Sequence, residues 1–319
     1  MMSHITPIIQ TENLSKVYKS RTRQVRALDH LNLSVQPGEI FGYLGPNGAG
    51  KTTTIRLLLD LIRPSEGHAL LFGQDAKAHS VELHKRVGFL PGELNLWKNL
   101  TGAQVVDFIG RVCSGVDKAY IHQLTERLEL DLGLRIRSYS TGNKRKLGLV
   151  IALMNRPDLL ILDEPSSGLD PLMQQTFNEL MLEAQKEGRT VFLSSHILSE
   201  VQAICDRVGI LRDGQLRAVE RVSDLTHADF RWVTLRLREQ VAPEKFAAVA
   251  GVSEVSVVDG NVRLRLHGDF DPLLRAISPY YVQDVNVQEP SLEEIFLTFY
   301  DGHHNGQVKH EPAREGTQS

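Results

Sequence analysis

Residues 45–52 read Gly-Pro-Asn-Gly-Ala-Gly-Lys-Thr, which fits the phosphate-loop spacing G-x-x-x-x-G-K-[ST]. Glycines at these positions let successive backbone N–H groups turn inward around phosphate oxygens, where bulkier side chains would obstruct them. Lys51 can then reach the outer phosphates of a nucleoside triphosphate, and the Thr52 hydroxyl can take Mg²⁺. The flanks agree with this reading. Residues 40–44 (Ile-Phe-Gly-Tyr-Leu) form a short apolar strand, and Ile55, Leu58, Leu59 and Ile62 fall at i, i+3, i+4 and i+7 of a helix. The positive end of that helix points at the same anion. A strand, this loop and a helix in immediate succession commit the chain to an α/β fold. They make Gly45, Pro46, Asn47, Gly48, Ala49, Gly50, Lys51, Thr52 and Thr53 the candidate nucleotide contacts.

The rest of the first two-thirds fits that commitment. Apolar strands are expected at residues 87–90, 159–162 and 190–193, alternating with helical segments, the order of a mainly parallel sheet. Residues 208–211 and 215–219 flank Asp213-Gly214 and read as a hairpin. Between residues 91 and 155 strand signals fade and helical ones dominate, so a helical insertion is expected there. With 36 basic and 39 acidic residues in 319, the net charge is −3, which argues against a general nucleic-acid binder. Two cysteines, Cys113 and Cys205, exclude a disulfide scaffold and suit a reducing compartment. The first residues lack the basic-then-apolar pattern of a secretory signal, and no apolar run nears the roughly 20 residues needed to span a bilayer. A membrane-crossing helix is therefore not expected.

The strand at 159–162 ends in Asp163-Glu164. Such a pair alone would suit a helix N-cap. Downstream of a phosphate loop and at the end of a buried strand, it suits Asp163 as a Mg²⁺ carboxylate and Glu164 as the base that polarises a water.

Further motifs follow in one order. Tyr139-Ser140-Thr141-Gly142-Asn143 precedes this strand, Ser167-Gly168-Leu169-Asp170 follows it, and His196 ends the next strand, while Tyr18 lies upstream of the loop. Together, over residues 8–220, these resemble the ATP-binding cassette (ABC) ATPases: a signature sequence, a D-loop, a switch histidine and an aromatic that stacks on adenine. Each residue also has a plainer reading. Tyr18 could be ordinary surface, Ser140 could only cap the helix marked by Leu147, Val150, Ile151 and Met154, and His196 could be structural. Lys144-Arg145-Lys146 reads as a solvated face. Two departures stand out. Thr141 and Asn143 replace the usual glycine and glutamine of the signature, whereas Ser140 and Gly142 are kept. Gly92 occupies the place of a glutamine that contacts Mg²⁺ and water, with Glu93 the candidate substitute.

The resemblance implies a P-loop NTPase cassette with a mainly parallel sheet, an antiparallel β subdomain and the helical insertion. It further implies ATP and Mg²⁺ as ligands, with Thr52 and Asp163 on the metal, Glu164 and His196 catalytic, and Ser140, Gly142 and Asp170 contacting nucleotide. Two cassettes of this family pair head to tail, each ATP lying between one phosphate loop and the other's signature. One copy of each motif therefore implies a homodimer or pairing with a homologous cassette. Without a membrane helix of its own, the chain is expected to dock a separate multi-helix permease near residues 94–101, on the cytoplasmic side of the membrane.

After residue 225 the pattern changes. Strands that alternate apolar and polar residues at 233–237 and 262–266, further strands at 255–258 and 281–287, and helices at 244–249 and 271–277 give the order β-α-β-β-α-β of a ferredoxin-like unit. The expected organisation is a cassette over 1–225, with its helical subdomain at about 91–155, and an α+β domain over 226–300. The latter would end in an amphipathic helix at 292–300, followed by a disordered tail at 301–319. Residues 291–297, Ser-Leu-Glu-Glu-Ile-Phe-Leu, resemble the end of ATPase subunits of ABC-2-type, drug-resistance-like exporters. The rival readings are a soluble ABC ATPase acting on ribosomes, DNA or cofactor assembly, an importer subunit, and an ATP-regulated binding protein without turnover. The last would require a lost base, yet Glu164 is present.

Overall fold

Two long strands come first, β1 (Ile9–Lys19) and β2 (Gln24–Val35), paired antiparallel from Ile9 opposite Val35 to Lys19 opposite Gln24. The computed structural model describes residues 6–19, 24–112, 117–225, 230–239, 241–288 and 290. The third strand, β3 (Ile40–Leu44), leads through the phosphate loop into α1 (Lys51–Leu58). Next come β4 (Glu66–Leu71) and the two-residue β5 (Gln74–Asp75), which complete a four-stranded antiparallel sheet of order β2-β1-β4-β5. After α2 (Ser80–His84) and β6 (Val87–Leu90) the chain turns helical, with α3 (Gly102–Val112), α4 (Lys118–Arg127) and α5 (Thr141–Leu153). The alternation then resumes as β7 (Leu159–Asp163), α6 (Pro171–Lys186), β8 (Thr190–Ser195), α7 (Leu198–Ile204) and β9 (Arg207–Arg212). Finally β10 (Gln215–Arg221) and the one-turn α8 (Val222–Leu225) close this part.

The second sheet has the order β10-β9-β3-β8-β7-β6, and every neighbouring pair is parallel except β10 on β9. Strands covered on both faces need apolar side chains at successive positions. Accordingly every residue of β3, β7 and β8 is buried. One core cluster joins the two sheets through α1: Phe41 stacks on Phe192 at 5.9 Å, Tyr43 leans on it at 5.3 Å, and Leu14, Leu31, Ile55 and Ile161 pack around them. Burying a side chain of this size contributes roughly 1.5–3 kcal/mol. The strand ends that carry the loop and the acids are thus rigidly anchored. The Asp213-Gly214 turn joins β9 to β10 with φ of 51° and 75°, both positive as a type I′ turn requires.

The helix after the loop is shorter than its periodicity suggests. It ends at Leu58 rather than reaching Ile62, because Asp60 takes the left-handed conformation at φ 53°. The Leu61 N–H bonds the Arg56 carbonyl at 2.9 Å and the Asp60 N–H bonds the Leu57 carbonyl at 3.1 Å, the two bonds of a Schellman stop. Ile62 still packs on the core from beyond the helix.

The chain divides between Asp224 and Leu225 into two units. The second contains β11 (Phe230–Leu237), α9 (Glu244–Ala247), β12 (Val252–Val258), β13 (Asn261–His267), α10 (Asp271–Ile277) and β14 (Val282–Gln288). Its sheet is antiparallel with order β12-β13-β11-β14, so the first and third strands lie in the middle as in a split βαβ unit. Val233, Leu235, Phe246, Leu264, Leu266 and Leu273 fill its core. The helix expected at 292–300, the exporter-like stretch 291–297, the tail 301–319 and Cys113 lie outside the described residues. Among the described residues no helix is long and apolar enough to cross a membrane.

Candidate active site

The ends of β3, β7 and β8 meet at one edge of the parallel sheet, where a cavity of about 430 Å³ opens. Pro46, Asn47, Gly48, Gly50, Lys51, Thr52, Thr53, Asp163, Glu164 and His196 line it, together with Ala27, Gly92 and Ser167. Such crevices at the carboxyl ends of parallel strands are where α/β folds bind ligands.

The loop needs its glycines for space as well as for conformation. Gly50 has φ +113°, and a Cβ there would lie 2.6 Å from the Ala27 carbonyl oxygen. At Gly45 a Cβ would lie 2.4 Å from the Leu211 carbonyl oxygen. Gly50 also caps α1 without a side-chain acceptor, leaving the first helical N–H groups to an anion. Lys51 is buried, at 6% exposure, and its ammonium donates to the Gly45 carbonyl at 2.6 Å and the Pro46 carbonyl at 3.3 Å. A buried ammonium needs this compensation, and the same bonds aim it into the cavity.

Asp163 is held from both sides. The Thr52 hydroxyl donates to Oδ2 at 2.9 Å and the Ser194 hydroxyl donates to Oδ1 at 2.6 Å. The same Ser194 oxygen accepts the Glu164 backbone N–H at 3.0 Å. Glu164 itself sits at φ 51°, an uncommon conformation for a residue with a side chain. Its Oε1 pairs with the Lys51 ammonium at 3.2 Å and its Oε2 meets His196 Nδ1 at 2.6 Å.

Mg²⁺ takes oxygen ligands and is usually bound by one or two carboxylates plus substrate phosphates and water. The Thr52 hydroxyl and Asp163 Oδ2 form such a pair, 2.9 Å apart on the cavity wall, so the residues present fit that ion. Among the described residues no three of His, Cys, Asp or Glu gather into a protein-only metal cage.

Several expected residues are not in this cavity. Tyr18 is exposed near the end of β1, with the Lys16 ammonium 5.3 Å from its ring centre. Ser140 caps α5 by accepting the Asn143 N–H at 3.1 Å, and Asp170 caps α6 by accepting the Met173 N–H at 3.0 Å. Gly142 packs against the D-loop, where a Cβ would lie 3.0 Å from the Gly168 carbonyl oxygen. The cavity is lined by Gly92, while Glu93 points to solvent outside it, so the structure does not bring Glu93 to the metal pair. The expected solvated face at Lys144-Arg145-Lys146 is also corrected. Arg145 and Lys146 are 3% and 8% exposed, because α5 is enclosed on nearly all sides.

Ser194 and Arg145 escape sequence reasoning. Ser194 stands opposite Asp163 only through the β7–β8 register, which no local pattern encodes. For Arg145 the available signal was the unbroken apolar run that follows it, Leu147-Gly148-Leu149-Val150, typical of a fully buried helix.

Comparison with known proteins identifies the family. The ABC transporter family model matches residues 28–167. The bacitracin transport ATP-binding protein BcrA of Enterococcus faecalis is 31% identical over 305 residues, covering 92% of this chain and 97% of that protein. The chain belongs to the ABC transporter ATP-binding proteins. As such the cassette is an ATP hydrolase of the P-loop class. Its fold matches the solved ATP-binding subunit of an ABC transporter with a TM-score of 0.62 and 28% identity, over 68% of this chain and 91% of that one. A dimeric bacterial ABC transporter cassette shares the fold with a TM-score of 0.63 at 22% identity, over 67% of this chain and 98% of that one.

Proposed function

We propose that this cassette is the ATP-hydrolysing subunit of an exporter that works through a separate multi-helix membrane subunit, on the cytoplasmic face of the membrane. The observation that carries the catalytic part is the convergence of Lys51, Thr52, Asp163, Glu164 and His196 on one cavity. ATP enters with its phosphates against the loop N–H groups and the Lys51 ammonium. Thr52 and Asp163 would hold Mg²⁺, which would supply charge neutralisation for phosphoryl transfer. Glu164 accepts the proton of the attacking water, and His196, already hydrogen-bonded to it, orients the base and faces the γ-phosphate.

The Ser140 and Gly142 backbone lies outside this cavity, which supports a role toward the nucleotide of a second cassette, either another copy or a homologous subunit. Tyr18 would stack on adenine, and Asp170 would meet the nucleotide only across that same dimer. The exporter branch is supported by the similarity to a bacitracin transport protein along nearly the whole chain, C-terminal unit included. Docking near residues 94–101 is supported by Trp97 and Phe108, two exposed aromatics packed edge to face at 5.4 Å in the helical part.

Affinity isolation from detergent-solubilised membranes, with mass-spectrometric identification, tests the transport reading. It should recover a multi-helix membrane protein, and less of it when Trp97 and Phe108 are both replaced by Ser. Consistent recovery of ribosomes or DNA instead would overturn it.

A further inference from the structure

The fifth residue of α5 does something the surrounding motifs do not account for. Arg145 is 3% exposed, and among the described residues its guanidinium binds four main-chain carbonyls and no carboxylate. Nη1 donates to Pro91 at 2.7 Å and to Gly92 at 3.3 Å, whereas Nη2 donates to Asp163 at 3.1 Å and to Glu164. One planar fork therefore spans the two walls of the cavity, the turn after β6 on one side and the end of β7 on the other. Burial pulls its pKa below the ordinary value while the Asp163 and Glu164 carboxylates push it back up.

The grip on Glu164 matters most. Its backbone is in the left-handed region, a conformation that persists only where the surroundings impose it. Both polar groups of this residue's main chain are tied, the N–H to the Ser194 hydroxyl at 3.0 Å and the carbonyl to Arg145. On the opposite wall, Gly92 is close enough that a Cβ there would lie 3.1 Å from Asp163 Oδ2. It is also where the family's glutamine is missing. We infer that Arg145 is a positioning residue: it ties the Pro91-Gly92 turn to the backbone carrying Glu164, and so makes the placement of the base depend on that turn. The inference rests on Glu164 being the base.

A lysine ammonium is a point donor without the fork and cannot hold both walls, and a glutamine amide reaches neither fully. In the full-length protein Arg145→Lys should lower kcat for ATP about tenfold, and Arg145→Gln roughly 100-fold, with KM within about threefold of wild type. A double-mutant cycle separates positioning from general damage. With single-turnover hydrolysis as the readout, adding Arg145→Gln to Glu164→Gln should change the residual rate less than about twofold, since a misplaced base that is already absent costs nothing further. Equal fractional losses in both backgrounds, or wild-type kcat in Arg145→Lys, would overturn the inference. If Arg145→Gln melts below the assay temperature, the Arg145→Lys outcome decides alone. Full turnover in Glu164→Gln would instead remove the base reading on which the inference stands.

Discussion

Replacing Ser194 by alanine removes one oxygen that makes two buried hydrogen bonds, to Asp163 Oδ1 at 2.6 Å and from the Glu164 N–H at 3.0 Å. The carboxylate loses a charge-assisted bond of about 1.5–3 kcal/mol, and the backbone N–H, left unpaired, costs about 1–3 kcal/mol. The two share one atom and are not additive, so about 3 kcal/mol is expected for the variant. At about 2–4 °C per kcal/mol for a unit of this size, Tm should fall by roughly 6–12 °C. Function should suffer in a specific way. Asp163 Oδ2 remains bonded to Thr52 but its carboxylate is free to rotate, so the half-saturating Mg²⁺ concentration for hydrolysis should rise about 10- to 100-fold. Nucleotide affinity measured in EDTA should stay within about twofold. Ser194→Thr, which keeps the hydroxyl in a strand suited to β-branched side chains, should recover most of both losses. The assays are thermal denaturation and a Mg²⁺ titration of steady-state turnover. A Tm within about 2 °C of wild type together with an unchanged Mg²⁺ titration would mean that the Ser194 hydroxyl holds neither Asp163 nor Glu164.

Lys51→Ala should weaken nucleotide binding by roughly 10- to 150-fold, the equivalent of losing a charged hydrogen bond of about 1.5–3 kcal/mol, as read by fluorescent-nucleotide titration. Gly50→Ala should prevent accumulation of a stable cassette, since the new Cβ meets the Ala27 carbonyl oxygen at 2.6 Å with φ at +113°, and cooperative melting at the wild-type temperature would contradict this. Asp29 accepts hydrogen bonds from Gln215, Arg26 and His30, which hold its carboxyl down to about 2. A depressed folded-state value means the stabilisation is complete above the ordinary carboxylate range and fades as pH falls toward 2. Asp29→Asn should therefore flatten the pH dependence of stability between about pH 4 and 2, as followed by urea midpoints.

What could be read from the sequence follows physical locality. Strands β3, β7 and β8 were legible because strands buried on both faces must be apolar at successive positions. The phosphate loop was legible because its chemistry is carried by contiguous residues. The ferredoxin-like unit was legible because apolar and polar residues alternate along β11 and β13, and Asp259-Gly260 turns at φ 51° and 78°. The end of α1 was not legible: a left-handed aspartate at Asp60 stopped a helix whose apolar period continues to Ile62. Ser194 became visible only once the strand register set it opposite Asp163. Charge misled at Arg145, since three consecutive cations ordinarily face solvent, and here a guanidinium is buried against four carbonyls instead.

On the proposed mechanism, the carboxylate of Glu164 performs the hydrolytic step in a cassette that pairs across ATP. Glu164→Gln tests it most directly, by following ATP turnover and size-exclusion profile together with and without Mg²⁺-ATP. Steady-state hydrolysis should be lost while ATP still binds and shifts the protein to a persistent dimer. Turnover at the wild-type rate, or a variant that binds ATP and stays monomeric both with and without a homologous cassette present, would contradict it.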